Sequence, residues 1–442
     1  MTEVVDRTER YVADFEAFAR NGASGAPEWL RRLREGAIAR FTELGFPTMK
    51  QEEWRFTSVA PIADQRFTLA HAPRSPLPAP SDIEGLCVGA GPRVVFVDGR
   101  HAPTLSTPVD LAGGVRAGSL AAALRTDAGG ELARAHLARH AGWRESAFAA
   151  LNTAFLADGA FVHVPADVTL DRPLEVVFLS TGRAVSDGPI VSHPRSLIVV
   201  ERGARAAVVE TYAGLSDGVY WTNAVTEVAV GEGAWAELYR VQQEGLHSFQ
   251  VATTHSRQER DSYLGVHVVT LGAALSRHDI NAVLDGPGAE LILNGLYLLS
   301  GAQHADHHTV IDHAQPHCAS HEFFNGVLAE RAHGVFTGRI IVRPGAQRTD
   351  SKQTNNNLLL STEARADSQP QLEIYADDVK CTHGSTVGPI DQMQLYYLRS
   401  RGLSAEAARS ILTYGFGAEI LDRMRHPDVR DRLDRLVRAR LA

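Results

Sequence analysis

Between about Ala160 and Pro389 the chain is a succession of short, β-branched or alternating runs, each broken by glycine, with almost no helical periodicity among them. LEVVFLS, SLIVVERG, AELYRVQ, YLGVHVVTLG, AELILNGLYLL and GVFTGRIIV are representative. Many short strands without crossover helices restrict the fold to a sandwich, a barrel or a parallel β-helix. A solenoid accounts best for a strand region of more than 200 residues. Gly-Ala pairs introduce strands at Gly203, Gly233, Gly272, Gly288, Gly301 and Gly345, at intervals too irregular for a strict repeat. The polar string Gln353 to Asn357, running into Leu358, Leu359 and Leu360, supports the solenoid, because stacked asparagines form ladders at coil corners.

The flanks are helical. Tyr11, Phe15 and Phe18 recur at helical spacing. A second helix starts at Pro27, carries Trp29, Leu30, Leu33, Ala37, Phe41 and Leu44 on one face, and stops at Gly45. In MKQEEWRFT (Met49 to Thr57), Trp54 and Phe56 alternate with charged neighbours, which reads as the packed edge of the helical layer or as a ligand site. The proline-rich segment 69–82 reads as a linker, RVVFVDGR as a strand and turn, and Ser119 to Phe155 as helical again. After Pro389, a helix through Met393, Tyr396, Tyr397 and Leu398 ends at Gly402. Ser404 caps a second, carrying Ala408, Ile411, Leu412, Phe416 and Ile420. A third carries Val429, Leu433, Leu436, Val437 and Leu441. Its other face sets Arg430, Arg432, Arg435, Arg438 and Arg440 against Asp428, Asp431 and Asp434: a solvated face, or a docking surface for an acidic partner.

Several functions are disfavoured at once. A net charge of −8 gives no basic footprint for nucleic acid or an anionic membrane. There is no run of 18 apolar residues and no apolar signal core beside Glu3, Asp6 and Glu9, so a cytoplasmic address is expected. The only lysines are Lys50, Lys352 and Lys380, none in a G-K-[ST] arrangement, so a Walker-type phosphate loop is missing. Neither a G-x-S-x-G elbow nor a dinucleotide fingerprint after a strand is present. Three cysteines, Cys87, Cys318 and Cys381, make no disulfide framework and too few thiols for a four-cysteine cluster. Any cluster held here needs histidines or a second subunit.

The chemistry concentrates in ADDVKCTHGSTVGPID, Ala376 to Asp391. On an extended segment Cys381 and His383 project from one face, with Cα atoms roughly 6.5–7 Å apart. Together they can ligate a metal or hold a sulfur species, but two ligands do not close a site. Lys380 and His383 flank Cys381, and either charge would favour a thiolate; packing alone is the competing reading. Cys87 and Cys318 read as inert buried thiols. A second concentration, His304, His307, His308, His313, His317 and His321 beside Cys318, reads as polar rungs or as a metal site. On a strand His304 and His308 share a side and His307 takes the other. The residues alone therefore leave open a β-helix enzyme acting on carbohydrate and a histidine-rich metal-binding module.

Five stretches carry a resemblance: LNTAFLADGAFVHVP (Leu151 to Pro165), HADHHTVIDHAQPHCAS, AQRTDSKQTNNNLLLS (Ala346 to Ser361), PQLEIYADDVKCTHGSTVG (Pro370 to Gly388) and QLYYLRSRGL (Gln394 to Leu403). With MKQEEWRFT they resemble, in order and across most of the chain, the SufD family of iron–sulfur cluster assembly proteins. The resemblance implies a mainly β fold: a right-handed parallel β-helix over 158–390, between an N-terminal helical region with short strands over 1–157 and a C-terminal helical domain over 391–442. The sister SufB tends to carry glutamate where this chain has Gly384. The resemblance implies a non-enzymatic scaffold that pairs with SufB through the β-helix and holds the ATPase SufC through about Asp391 to Met424, with pairing to a second copy as an alternative for the isolated chain. His383 matches the family's proposed cluster ligand, and Cys381 is its neighbour in the same motif. The implied cofactors are a transient iron–sulfur cluster shared with SufB, ATP only through SufC, and a reduced flavin as a further candidate in the complex.

Overall fold

In the strand region, alternate side chains turn inward, and the chain winds them into a parallel β-helix. The structure is a computed structural model that describes residues 2–21, 25–70, 77–87, 91–107, 111–182 and 188–441. Coil by coil, the strands are β1 (Ala160–Val164) and β2 (Leu174–Ser180), β3 (Arg195–Val200) and β4 (Arg205–Gly214), β5 (Tyr220–Val230) and β6 (Trp235–Gln243), and β7 (Phe249–Gln258) and β8 (Tyr263–Thr270). There follow β9 (Leu275–Leu284) and β10 (Glu290–Leu299), β11 (His304–His313) and β12 (Ala319–Leu328), β13 (His333–Val342) and β14 (Asp350–Leu359), and β15 (Arg365–Ile374) and β16 (Lys380–Pro389). Odd-numbered strands stack in order in one sheet and even-numbered strands in the other. Pairing is parallel and in steady register: Trp235 opposite Tyr263, Tyr263 opposite Glu290, Glu290 opposite Ala319, Ala319 opposite Asp350.

One corner is a hydrogen-bonded seam. Asp167, Gly203, Gly233, Asp261, Gly288, His317 and Arg348 all have positive φ. Each donates its N–H one coil onward, Gly203 to the Glu232 carbonyl, Gly233 to Arg260, Asp261 to Pro287, Gly288 to Pro316, His317 to Gln347 and Arg348 to Asp378. Glycine accepts this left-handed turn without strain, and aspartate tolerates it. Ala273, Gly301 and Glu330 are left-handed at other turns of the solenoid. The expected Gly-Ala repeat is irregular because glycine fills only some positions of the seam. The polar string departs from expectation in part: it lies within β14 and not at a corner, and Gln353, Asn355 and Asn357 turn inward, where Asn355 and Asn357 bond to Tyr297 and to each other, while outward Asn356 donates to Asn325 of the preceding coil at 3.5 Å.

The lumen is mostly apolar, with Val208, Leu238, Val266, Leu293, Phe324 and Ile340 in one continuous core. Helices cover the outer faces. Helices α1 (Thr2–Asn21), α2 (Glu28–Leu44), α3 (Asp127–His136) and α4 (Ala147–Ala154) belong to the N-terminal region. Gly45 ends α2 at φ 64°, its N–H returning to the Phe41 carbonyl at 2.8 Å. Phe18, Phe41 and Phe148 pack with Trp221, Val225 and Val251 of the odd sheet. The strands Arg93–Val97 and Arg116–Ser119 extend the even and odd sheets beyond β2 and β1. A fully buried ion pair fastens this region: Glu227 takes Arg195 at 2.7 Å and the N–H groups of Ala138, His140 and Ala141. Burial pushes the Glu227 carboxyl up, but Arg195 and these donors hold it below the usual carboxylate range. The middle of the expected linker, residues 71–76, lies outside the described residues.

Helices α5 (Gln392–Ser400), α6 (Ala405–Leu421) and α7 (Pro427–Leu441) sit on the outer face of the even sheet, packing Ala408, Ile420, Leu433 and Val437 onto Leu296, Leu298, Val327 and Leu358. The Ser404 hydroxyl caps α6, accepting the Ala407 N–H at 3.0 Å. The charged face of α7 is not wholly solvated. Arg432 donates to the Cys87 carbonyl at 3.0 Å, and Arg440 to the Leu271 carbonyl and Gln303 at 3.2 Å. Among the described residues, no helix is long and apolar enough to cross a membrane.

Candidate functional site

Two strands end the solenoid, and their free edges differ. Lys380 donates its N–H to the Thr349 carbonyl at 2.8 Å, so the even positions of β16 pair with β14. By alternation Cys381, His383, Ser385 and Val387 direct their backbone N–H and C=O groups to the open edge. In β15 the N–H groups of Arg365 and Tyr375 bond inward, which puts Pro370 on the outward phase, where it removes an edge donor. Charges at Arg365, Asp367 and Glu373 blunt this edge further. Tyr375 beside it is 60% exposed, Ile374 41% and Val387 48%.

The side chains of the odd β16 positions face the lumen, because their register partners Ser351, Gln353 and Asn355 are buried there. Cys381 and His383 thus lie side by side over the mouth of the lumen, Cys381 half-buried and His383 exposed. Below Cys381 runs a hydroxyl column: His313 Nε2 meets the Ser320 hydroxyl at 2.8 Å, and Ser320 meets Ser351 at 2.7 Å. Burial, and then the charge of Asp350, push the Cys381 thiol up, which corrects the thiolate expectation. Lys380 is adjacent in sequence but occupies the opposite face of the strand. Cys87 and Cys318 are buried, and burial raises both thiols, that of Cys87 to about 12. Among the described residues no group of three or more His, Cys, Asp or Glu side chains could hold a metal ion. Cys381 and His383 supply two donors and an open side.

The histidine run is divided by its strand. His307 and His313 enter the lumen, where His307 stacks on Tyr297 and bonds to Thr270 at 3.0 Å. His304 and His308 turn outward and clamp the segment around Trp54. Thr57 joins His304 at 2.8 Å and donates to Asp306 at 2.6 Å. Arg277 donates to Asp306 at 2.5 Å, to His308 at 2.7 Å and to the Glu53 carbonyl at 2.7 Å, and lies 4.0 Å over the Trp54 ring. His304 also shares a hydrogen bond with His333 at 3.1 Å, and His333 meets Asp367 at 2.7 Å. MKQEEWRFT is therefore packed, as one sequence reading had it, but against the β-helix as well as the helical layer. Sequence reasoning missed Arg277, Thr57 and Asp306; the only signal was an aromatic among charges.

Two family profiles match the chain: "SUF system FeS cluster assembly, SufBD core domain" over residues 182–416 and "SufBD protein N-terminal region" over residues 5–176. An iron–sulfur cluster assembly SufBD family protein of Synechocystis is 33% identical over 92% of this chain and 90% of its own length. The iron–sulfur cluster assembly protein SufD of Escherichia coli is 29% identical, covering 92% of this chain and 91% of itself. The SufD of Bacillus subtilis is 27% identical over 90% and 91%. None of the three carries an enzyme name. With a parallel β-helix between helical flanks and a SufD-like match over nearly its whole length, the chain belongs to the SufBD family of iron–sulfur cluster assembly proteins.

Proposed function

We propose that this chain is a non-enzymatic scaffold subunit of the cytoplasmic SUF assembly complex, pairing with SufB through the last coil of the β-helix and with the ATPase SufC through its C-terminal helices. The observation that carries this reading is the uncovered coil itself. Among the described residues nothing pairs with the outer edge of β16, a natural docking edge for another strand, and the same strand holds Cys381 and His383 over the lumen mouth. A partner added there completes the donor set that this chain leaves open. Iron and sulfide are cargo at that junction, with His383 and Cys381 as this chain's ligands.

The C-terminal helices suit a partner of their own. Met393, Tyr396 and Tyr397 of α5 and Ile411 of α6 are 74%, 70%, 56% and 48% exposed, more apolar surface than an unpartnered pair of helices needs. Helix α6 also packs on β10 and β12 of the sheet that ends in β16. In this proposal, closure of two ATP-bound SufC subunits pulls on α5 and α6 and loosens the junction so that cargo reaches Cys381 and His383. The test is complementation with co-purification in cells lacking the native protein. His383→Ala is expected to assemble with SufB and SufC yet lower cluster formation at least tenfold, whereas a chain ending at Asp391 loses SufC and keeps SufB. Full rescue by His383→Ala sinks the ligand role, and SufC retained by the shortened chain sinks the helix assignment.

A further inference from the structure

A column of polar side chains runs inward from His383 as far as the apolar Leu293. Leu293, Glu322, Gln353 and His383 are successive register partners on β10, β12, β14 and β16. Glu322 and Gln353 are buried, at 2% and 1% exposure. Gln353 Nε2 donates to Glu322 Oε2 at 2.6 Å. Room for this amide is made across the lumen by Gly338 of β13, where a Cβ would come within 2.3 Å of Gln353 Nε2 and 2.7 Å of its Cδ. The bond and the glycine together fix the amide, yet Gln353 Oε1 is buried without a hydrogen-bond partner. Such an acceptor is costly to leave unmet. Its neighbour on the next strand, in the same inward column, is His383.

An imidazole that ligates a metal needs a partner for its second ring nitrogen, which sets the tautomer and leaves the other lone pair outward. We infer that Gln353 and Glu322 are positioning residues for His383: Gln353 Oε1 accepts the ring N–H of His383 turned in over the lumen, and Glu322 holds the Gln353 amide so that Oε1 faces β16. This rests on the reading of His383 as a ligand. Neither residue touches the cargo; both act through the ring. Cys381 differs, since the column beneath it is built of the hydroxyls of Ser320 and Ser351, which can donate as well as accept.

The test is the tautomer of His383 in the full chain, read from ring nitrogen chemical shifts after histidine labelling, with the His383 signals identified by their loss in His383→Ala. Gln353→Met, matched in size but without the acceptor, is expected to shift the tautomer ratio by roughly fivefold. Gln353→Glu retains an acceptor but loses the donor that Glu322 holds, and is expected to shift the ratio less than Gln353→Met. Glu322→Met frees the amide to rotate and gives a partial shift in the same direction, which also serves if Gln353→Met does not fold. A wild-type ratio in both methionine variants overturns the inference and leaves the ligand reading intact. Full complementation by His383→Ala overturns the ligand reading whatever the tautomer.

Discussion

At the N-terminal end of the solenoid, strands Arg93–Val97 and Arg116–Ser119 continue both sheets past the first coil, and the segment between α3 and α4 closes over Glu227. At the C-terminal end, among the described residues, no strand lies beyond β15 and β16. The inward positions of the first coil are buried, with Leu174, Val176 and Val162 at 0% exposure, whereas His383, Ser385 and Val387 at equivalent positions of the last are exposed. Exposed sheet edges invite aggregation and are normally covered or blunted. Here β15 is blunted by Pro370 and its charges, and β16 is left unbroken until Pro389. One end of the solenoid is covered, and of the two strands at the other end only β15 is blunted.

That contrast can be broken from either side. The largest effect is expected at the closed end. Glu227→Ala strands Arg195 in the interior and should cost about 3–5 kcal/mol in urea unfolding; a loss below about 1 kcal/mol would mean that the buried pair does not fasten the N-terminal region. Next comes a pair of proline substitutions. Ser351→Pro, in a strand paired on both sides, should destabilise by about 3 kcal/mol or more. Ser385→Pro, whose N–H faces the open edge, should leave the unfolding midpoint of the isolated chain nearly unchanged and abolish co-purification with SufB. Equal destabilisation by the two would show that β16 is not a free edge.

The smallest and most graded effect concerns pH. Burial drives the lumen histidine His278 well down and takes His307 and His313 to about 4. Their folded-state values lie below the unfolded one, so the stability they confer is complete above about pH 6.5 and is lost as pH falls towards 4. Glu244 and Glu322, raised by burial to about 7, act oppositely: the folded state keeps their protons between about pH 4.5 and 7 while the unfolded chain releases them, so stability from these two grows as pH falls. With three such histidines set against two raised carboxyls, stability should fall on acidification below pH 6.5. His307→Gln should flatten the slope and Glu322→Gln should steepen it, both read by urea titration at stepped pH.

Much of this was legible in the sequence, for identifiable reasons. Alternation alone puts Cys381 and His383 on one face, and Gly45 and Ser404 mark helix ends because the left-handed cap and the hydroxyl cap each demand particular residues. What stayed hidden depended on neighbours distant in the chain. The corner seam uses aspartate, histidine and arginine as readily as glycine, so no single residue type betrays its period. The charge beside Cys381 in sequence lies across the strand, while Asp350, which does act on the thiol, comes from the preceding coil. Arg432 and Arg440 look solvated until the backbone carbonyls they reach are folded beneath them.

The corner seam has a consequence of its own. Each left-handed residue hands its N–H to the coil that follows, so every coil is laid on a surface finished by the one before. At Asp378 that handing-on stops: its carbonyl accepts from Arg348, and among the described residues no further coil follows. The solenoid therefore has a polarity, with a covered origin and an uncovered terminus.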